Sequence, residues 1–264
     1  MNPMLNIAVR AARKAGDIIA RSCDQLGGLT ITTKSKNDYV SEVDFRAEHI
    51  IIETLQKAYP DHSILAEESG AHSGNEYEWI IDPLDGTTNF LRGIPQYSVS
   101  IALRRKGKLQ VAVVYDPIKQ ELFTASRGEG AQLNNRRIRV SQCDGIEGAL
   151  LGTGIPYREG HMHVLEDYLG MMQALIPGSA GIRRAGSAAL DLAYVAAGRF
   201  DGFWEYDLNQ WDIAAGILLI EEAGGMVSDF YGGFEYFESG NVIAASPKLF
   251  KHMLQVIKPR FKTS

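Results

Sequence analysis

Apolar positions near the N-terminus recur at intervals of three and four residues, which predicts an amphipathic helix from Asn2 to about Cys23. The stripe consists of Leu5, Ala8, Ala12, Ala15 and Ile19. Asn2 and the proline after it suit the start of such a helix. Gly27 and Gly28 break it, and the alternation over residues 29–33 predicts a strand that enters a hairpin.

A second helix is predicted to begin after Ser41, because Asp44 stands three residues later in the spacing of a capping box. The helix should end at the Tyr-Pro-Asp sequence of residues 59–61. Its core-facing residues are expected to be Phe45, Ile52 and Leu55. From these residues alone, Asp44 is interpreted as a partner of the helix dipole.

The middle of the chain alternates apolar and polar positions and predicts an antiparallel meander of strands. The strands are expected at residues 97–103, 109–115 and 121–125. Residues 136–139 are rich in arginine, and an edge strand protected by charge is favoured there over a phosphate or RNA contact.

Beyond about Cys143 the pattern changes to short apolar strands that alternate with helices. Strands are predicted at residues 149–151, 200–206, 226–228 and 241–245. Helices are predicted at residues 163–176, at 188–197 with Ser187 as the N-cap, at 211–222, and from Pro247 onward.

Two of the apolar runs end in acidic residues. Residues 64–66 lead into Glu67 and Glu68, and residues 79–81 lead into Asp82. If the two strands are neighbours, these carboxylates converge and repel each other unless a cation lies among them. The repetition therefore suggests a metal site at the ends of two strands.

The turn after the second run supplies more oxygen ligands. Pro83 has no N–H for a strand ladder, so the strand should end near Asp82. Gly86 permits a tight or left-handed turn that holds Asp85 close and leaves the Leu84 carbonyl pointing the same way. Hard oxygen ligands of this kind suit Mg²⁺ better than Zn²⁺.

Thr87, Thr88 and Asn89 follow as a short helix start that favours an anion. A cation site beside an anion site is what hydrolysis of a phosphate ester requires. A plain Asp-Gly turn would not explain why two acids and two threonines crowd the end of an apolar strand. The haloacid dehalogenase signature, the other alternative, places its two acids closer together than Asp82 and Asp85.

Several other residues have two interpretations. Gly186 and Ser187 form a second amide-rich helix start, which predicts a further contact to an anion or a hydroxyl. His161 and His163 lie in a polar loop without a partner acid and are interpreted as surface residues. Asp212 begins a helix and, taken alone, is a cap.

The composition, 45% hydrophobic and 22% charged over 264 residues, is that of a globular protein with a substantial core. The net charge of −5 gives no basic field that would favour nucleic acid or an anionic membrane as the main partner. Cys23 and Cys143 lack the spacing of a disulfide framework or a metal site. No apolar run has the length of a membrane span and no secretory signal is recognised, so a cytoplasmic location is expected.

Three separated stretches, residues 67–68, 82–89 and 211–225, resemble the inositol monophosphatase family in order and spacing. The resemblance covers essentially the whole chain. It implies an α/β (α+β) fold, a layered αβαβα sandwich of the inositol monophosphatase and fructose bisphosphatase type. A single phosphatase domain is expected, with a helix-pair and antiparallel-sheet half at about 1–142 and an α/β half at about 143–264. Magnesium dependence, inhibition by lithium and a homodimer are also implied.

The resemblance also implies roles for individual residues. The metal ligands would be Glu67, Asp82, the Leu84 carbonyl, Asp85 and Asp212. Thr87, polarised by Asp44, would orient the attacking water near Glu67. The Gly86 and Thr87 amides would bind the phosphate, and Glu68 would support the ligands from behind. The inositol hydroxyls would be contacted by Ala188, Glu205 and Asp212.

The implied activity is hydrolysis of inositol monophosphate by a metal-activated water molecule. The chain departs from its relatives at residues 206–210, where they tend to have a glycine and a basic residue. The extra acid there, Asp207, leaves fructose 1,6-bisphosphate, 3′-phosphoadenosine 5′-phosphate and histidinol phosphate open as alternative substrates. Bacterial relatives bind elongation factors in ribosomal RNA antitermination, which implies NusA and RNA polymerase as alternative partners in a role that does not need catalysis.

Overall fold

A computed structural model of the chain describes residues 2–23, 31–35 and 38–262. The predicted helix break at Gly27 and Gly28, and the first part of the strand predicted over residues 29–33, lie outside these ranges. Strands β1 (Ile31–Ser35) and β2 (Asp38–Ser41) pair antiparallel, as the predicted hairpin requires. No helix in the described part of the chain combines the length and the apolar character needed to cross a bilayer.

Helix α1 (Pro3–Ser22) begins and ends where the pattern predicts. The Asn2 side chain accepts a hydrogen bond from the Met4 amide at 3.0 Å, which satisfies one of the unpaired donors of the first turn. The small residues of its apolar stripe are fully buried and allow α1 to approach the sheet closely.

Helix α2 (Glu42–Ala58) carries the predicted capping box. The prediction that Phe45 faces the core is wrong, because its side chain is 50% exposed. The buried stripe runs instead through Val43, Ala47, Ile51 and Leu55. Phe45 lies two positions from Val43, which places it on the opposite side of a helix with 3.6 residues per turn.

An eight-stranded sheet fills the centre of the molecule, in the order β10-β9-β8-β7-β6-β5-β3-β4. Its strands are β3 (Ser63–Ala66), β4 (Gly70–His72), β5 (Tyr77–Asp85), β6 (Ser98–Arg105), β7 (Lys108–Asp116), β8 (Glu121–Ser126), β9 (Gly130–Leu133) and β10 (Arg136–Arg137). The predicted meander is β6 to β8, and the arginine-rich β10 is the edge strand that its charges indicated.

The prediction that β5 ends near Asp82 is wrong. The strand passes Pro83 and continues to Asp85, with a shift of register against β6 between Asp82 and Asp85. A bulge is a position where a strand tolerates proline, because the local ladder is already interrupted. The bulge keeps both acids on one strand and precedes the short helix α3 (Thr87–Leu91).

A second sheet of five strands has the order β12-β11-β13-β15-β14. Its strands are β11 (Leu150–Thr153), β12 (Gly181–Arg183), β13 (Gly202–Glu205), β14 (Met226–Ser228) and β15 (Val242–Ala245). The helices of this part are α4 (Leu165–Leu175), α5 (Ala188–Ala196), α6 (Gln210–Glu222), α7 (Tyr236–Ser239) and α8 (Pro247–Ile257). The helix predicted to begin at His163 is a 3-10 segment at Glu159–Val164 followed by α4.

Alternate residues of the strands belong to different layers. Trp79 and Ile81 of β5 pack against α1 and α2, whereas Ile80 between them packs towards α5 and α6. In the second sheet, Phe203 faces α5 and α6 and Trp204 faces α4 and α8. The layers are therefore helix, sheet, helix, sheet and helix, which confirms the expected αβαβα sandwich.

Candidate active site

A cavity of about 440 Å³ lies where the end of β5 meets the starts of α3, α5 and α6. The residues proposed from sequence that line it are Glu67, Asp82, Leu84, Asp85, Gly86, Thr87, Ala188, Glu205 and Asp212. Asp44 is buried behind this lining and contacts Thr87. The structure thus brings together residues that are far apart in the sequence.

The ends of β3 and β5 place the first two acids side by side. The strands are parallel, with Ala66 opposite Ile81, and the Glu67 amide donates to the Ile81 carbonyl oxygen at 3.1 Å. Since parallel strands end at the same edge of a sheet, Glu67 and Asp82 reach the cavity together. The sequence predicted a metal site only if these two strands are neighbours, and in the structure they are.

The bulge in β5 orients the next ligands. The Asp82 carboxylate accepts a hydrogen bond from the Leu84 amide at 2.9 Å, which fixes the turn around Pro83. Gly86 has φ of 97°, and a Cβ there would lie 2.9 Å from the Gln96 carbonyl oxygen, so only glycine fits.

Thr87 connects this turn to α2. Its hydroxyl oxygen lies 3.0 Å from both Asp44 Oδ1 and the Leu84 carbonyl oxygen. Asp44 Oδ2 accepts from the Ser41 amide at 2.8 Å, so the carboxylate caps α2 with one oxygen and faces Thr87 with the other. Burial raises the pKa of Asp44, although its hydrogen bonds to Ser41 and Thr87 oppose the change.

Asp85 connects the end of β5 to the start of α5. Its Oδ2 accepts hydrogen bonds from the Ser187 hydroxyl and, at 2.8 Å, from the Ala189 amide at the start of α5. Ser187 is the N-cap residue of α5, but its side chain does not cap the helix; the Asp85 carboxylate takes that place. The anion predicted at the Gly186 and Ser187 helix start is thus a side chain of the protein itself.

Asp212 forms the capping box of α6, where its Oδ2 accepts from the Asn209 amide at 2.7 Å. The interpretation of Asp212 as a cap is therefore correct, and the same side chain also lines the cavity. Asn89 is structural: its side-chain amide donates to the Gln96 and Ala185 carbonyl oxygens at 2.7 and 2.8 Å, which ties α3 to the segment before α5.

The four acids Glu67, Asp82, Asp85 and Asp212, here called the acidic wall, perturb each other. Burial, followed by the charges of the other three, raises the pKa of Asp82 well above its usual value. Burial raises the pKa of Asp85 to about 6, and the hydrogen bonds from Ser187 and Ala189 oppose this change. The pKa of Asp212 is also raised well above normal, by burial and then by Asp85 and Glu67.

The acidic wall suits a divalent cation by its chemistry. All its donors are hard oxygens, and buried carboxylates that repel each other are stabilised by a metal ion. Within the described ranges, no three acidic, histidine or cysteine side chains are already arranged as ligands of one ion. Backbone amides donate to one oxygen each of Asp82, Asp85 and Asp212, which fixes these carboxylates and leaves their remaining lone pairs for a cation.

Glu205 lies at the end of β13 and lines the same cavity. Burial raises the pKa of Glu205 to about 8, although Arg184 and Arg158 oppose the shift. The raised pKa favours the protonated form of this carboxyl group, which can donate a hydrogen bond.

The mouth of the cavity carries two arginines that the sequence did not single out, together with His161 and with Asp207, the extra acid of residues 206–210. We call Arg158, His161, Arg184 and Asp207 the rim; all four line the cavity. His161 Nε2 lies 2.7 Å from Asp207 Oδ2, and the His161 side chain is only 17% exposed. The interpretation of His161 as a surface residue without a partner acid is therefore wrong, whereas His163 is exposed as expected.

Known proteins of one family match this chain over nearly its full length. The profile of the inositol monophosphatase family matches residues 1–259. The Nus factor SuhB of Pseudomonas aeruginosa is 54% identical, over 100% of this chain and 99% of that protein. The Nus factor SuhB of Escherichia coli is 52% identical, over 96% and 95%.

Solved structures of related proteins have the same fold. The extragenic suppressor protein suhB from Bartonella henselae superimposes with a TM-score of 0.94 at 46% identity, over 97% of this chain and 99% of that one. The inositol monophosphatase from Anabaena gives 0.85 at 36% identity, over 97% and 95%.

Proposed function

Because the chain belongs to the inositol monophosphatase family, we propose that it is a magnesium-dependent phosphomonoesterase that hydrolyses inositol monophosphate or a similar polyol phosphate. The observation that carries the proposal is the convergence of the acidic wall in one cavity, beside the start of α3. Such crowding destabilises the fold unless the site serves to bind cations.

Glu67, Asp82, Asp85, Asp212 and the Leu84 carbonyl are the proposed Mg²⁺ ligands. Bound there, Mg²⁺ would lower the pKa of water to supply the nucleophile and would neutralise charge on the phosphate and the leaving oxygen. The protein's own contribution is to hold the carboxylates in place, and the backbone hydrogen bonds to Asp82, Asp85 and Asp212 do so.

The proposed positioning of the attacking water rests on Asp44 and Thr87. Asp44 Oδ1 accepts the hydroxyl proton of Thr87 and so leaves the Thr87 oxygen free to accept a hydrogen bond from water. Helix α3 begins at Thr87 without a side-chain cap, so the Gly86 and Thr87 amides are the proposed phosphate donors. Ala188 and the protonated Glu205, with Asp212, are the proposed contacts of the polyol hydroxyls.

The decisive experiment is phosphate release from a panel of phosphomonoesters with Mg²⁺, with and without lithium. Asp85→Asn should abolish release while the circular dichroism spectrum stays unchanged. Because Asp85 also caps α5, Ser187→Ala is the matched control: it removes one hydrogen bond of that cap and keeps the carboxylate, so most of the activity should remain. Near-normal turnover by Asp85→Asn would contradict the assignment. Gel filtration tests the proposed homodimer.

A second proposed function is an accessory role in transcription. The curated relatives at 52–54% identity are named Nus factor SuhB, which favours NusA and RNA polymerase as partners. Pull-down of both partners with wild-type and Asp85→Asn protein separates the two functions. Binding by both proteins would support a role independent of catalysis, and binding by neither would exclude these partners.

A further inference from the structure

The contact between His161 and Asp207 joins two segments across the mouth of the cavity. His161 belongs to the 3-10 segment Glu159–Val164, and Asp207 to the loop between β13 and α6. The ring of Tyr206 meets the His161 ring edge to face, with centroids 5.3 Å apart. The pair therefore has a defined geometry, although Asp207 lies on a loop.

Asp207 has a backbone conformation that disfavours a side chain. Its φ is 56°, in the left-handed region where glycine is the usual residue and aspartate and asparagine are tolerated. The loop is held there by hydrogen bonds from the Asp207 amide to Asn241 Oδ1, at 3.2 Å, and from the Leu208 amide to the Gly240 carbonyl oxygen, at 2.8 Å. The backbone therefore holds the Asp207 side chain in a fixed place at the edge of the site.

The charges around the mouth indicate a role for this side chain. Arg92, Arg158 and Arg184 line the same cavity and would attract a second anionic group on a substrate. Asp207, whose side chain is 48% exposed, lines the same cavity two residues after Glu205 and contributes an acidic group there. A substrate held by Glu205 would place its alcohol part next to Asp207.

We propose that Asp207 is a specificity-determining residue that disfavours substrates with a second phosphate, and that His161 positions its carboxylate. This inference rests on the proposed function. It predicts that removal of the two partners changes the selectivity in opposite directions. A contact that merely held the two loops together would give changes in the same direction.

The test measures kcat/KM for inositol bisphosphate divided by kcat/KM for inositol monophosphate. Asp207→Asn preserves the shape of the side chain and tolerates the positive φ, so it removes only the charge. It should raise the ratio about two- to fivefold, the effect of one partly exposed charge. His161→Ala should lower the ratio, because it releases the Asp207 carboxylate from its contact with the His161 ring and leaves it free to turn towards the substrate.

His163→Ala is the matched control, since His163 lies on the same 3-10 segment but is exposed and does not line the cavity; its ratio should equal that of the wild type. Equal ratios in all variants, or changes of the same sign for Asp207→Asn and His161→Ala, would overturn the proposal. If the wild type releases phosphate from neither compound, the proposed function fails. The ratio of calorimetric dissociation constants for the two compounds then decides the specificity proposal on its own.

Discussion

The acidic wall and the rim face each other across one cavity, yet they are built in different ways. The wall residues stand at strand ends and helix starts, where backbone amides bind their carboxylates, as Leu84 does for Asp82 and Asn209 for Asp212. The rim residues lie on irregular segments, and His161 and Asp207 are joined through their side chains. The wall is thus fixed by the fold, whereas the rim is free to vary among proteins that share it.

The largest expected effect tests whether the wall is maintained for function at the expense of stability. Asp82→Asn keeps an oxygen for the Leu84 amide but removes a buried charge. We expect at least a 100-fold loss of phosphatase activity, the order of effect seen when an electrostatic group of a catalytic site is removed. Without Mg²⁺ the free energy of unfolding should rise by about 1 kcal/mol, because the repulsion among the wall acids is relieved.

Asp116→Asn is the control for that variant. Asp116 is equally buried, but its carboxylate pairs with Lys119 Nζ at 2.7 Å and accepts from the Ile118 and Lys119 amides. Its loss should therefore destabilise the fold and leave the activity intact. Thermal unfolding with and without Mg²⁺ should show a larger stabilisation of the wild type than of Asp82→Asn. If Mg²⁺ stabilised both proteins equally, Asp82 would not be a ligand of the metal.

The difference between the acidic wall and the rim also explains which parts of the site could be predicted from the sequence. The wall could be found because acids at the ends of apolar runs are unusual, and the parallel pairing of β3 and β5 brought Glu67 beside Asp82 as expected. The pairing of His161 with Asp207 in the rim could not be found in this way. His161 and Asp207 belong to distant segments of the chain, and no local spacing connects them.

The errors within the elements have local causes. Apolar periodicity placed Phe45 in the core, but packing selected the stripe through Val43 and Ala47 instead. The end of β5 was predicted too early because Pro83 was taken to stop the strand, whereas a bulge accommodates it. Ser187 was expected to cap α5 with its own side chain, and only the tertiary structure shows that it donates to Asp85 instead.

An intermediate effect is expected at Asp44. Its carboxylate accepts a hydrogen bond from a backbone amide, like those of the acidic wall, but it contacts Thr87 and does not line the cavity. Asparagine has one acceptor oxygen where Asp44 uses two, so Asp44→Asn must either lose the Ser41 cap or reverse the Thr87 hydrogen bond, with the amide donating to the Thr87 oxygen that would otherwise accept from water. We expect kcat to fall by up to about 100-fold, the effect of misplacing a reacting group by about 1 Å.

Ser41→Ala separates the two roles of Asp44. It removes the hydroxyl partner at the cap and leaves the Thr87 contact, so the free energy of unfolding should fall by about 1 kcal/mol with kcat unchanged. Steady-state kinetics and urea unfolding of both variants make this comparison. If Ser41→Ala reduced kcat as much as Asp44→Asn, the effect of Asp44 would be that of a cap alone.

The smallest expected effect is a difference in salt sensitivity between the wall and the rim. The Asp207 side chain is 48% exposed, whereas Asp82 is 2% exposed. Exposed charges are screened over about 10 Å at 0.1 M salt and about 3 Å at 1 M, whereas buried charges are screened much less. The change in selectivity caused by Asp207→Asn, measured relative to wild type at each salt concentration, should therefore shrink towards zero as salt increases.

The loss of activity in Asp82→Asn should stay constant over the same range, because its partners are inside the protein. If salt left the Asp207→Asn effect unchanged, Asp207 would act through shape instead of charge, and the distinction between a buried catalytic wall and a screened selective rim would fail.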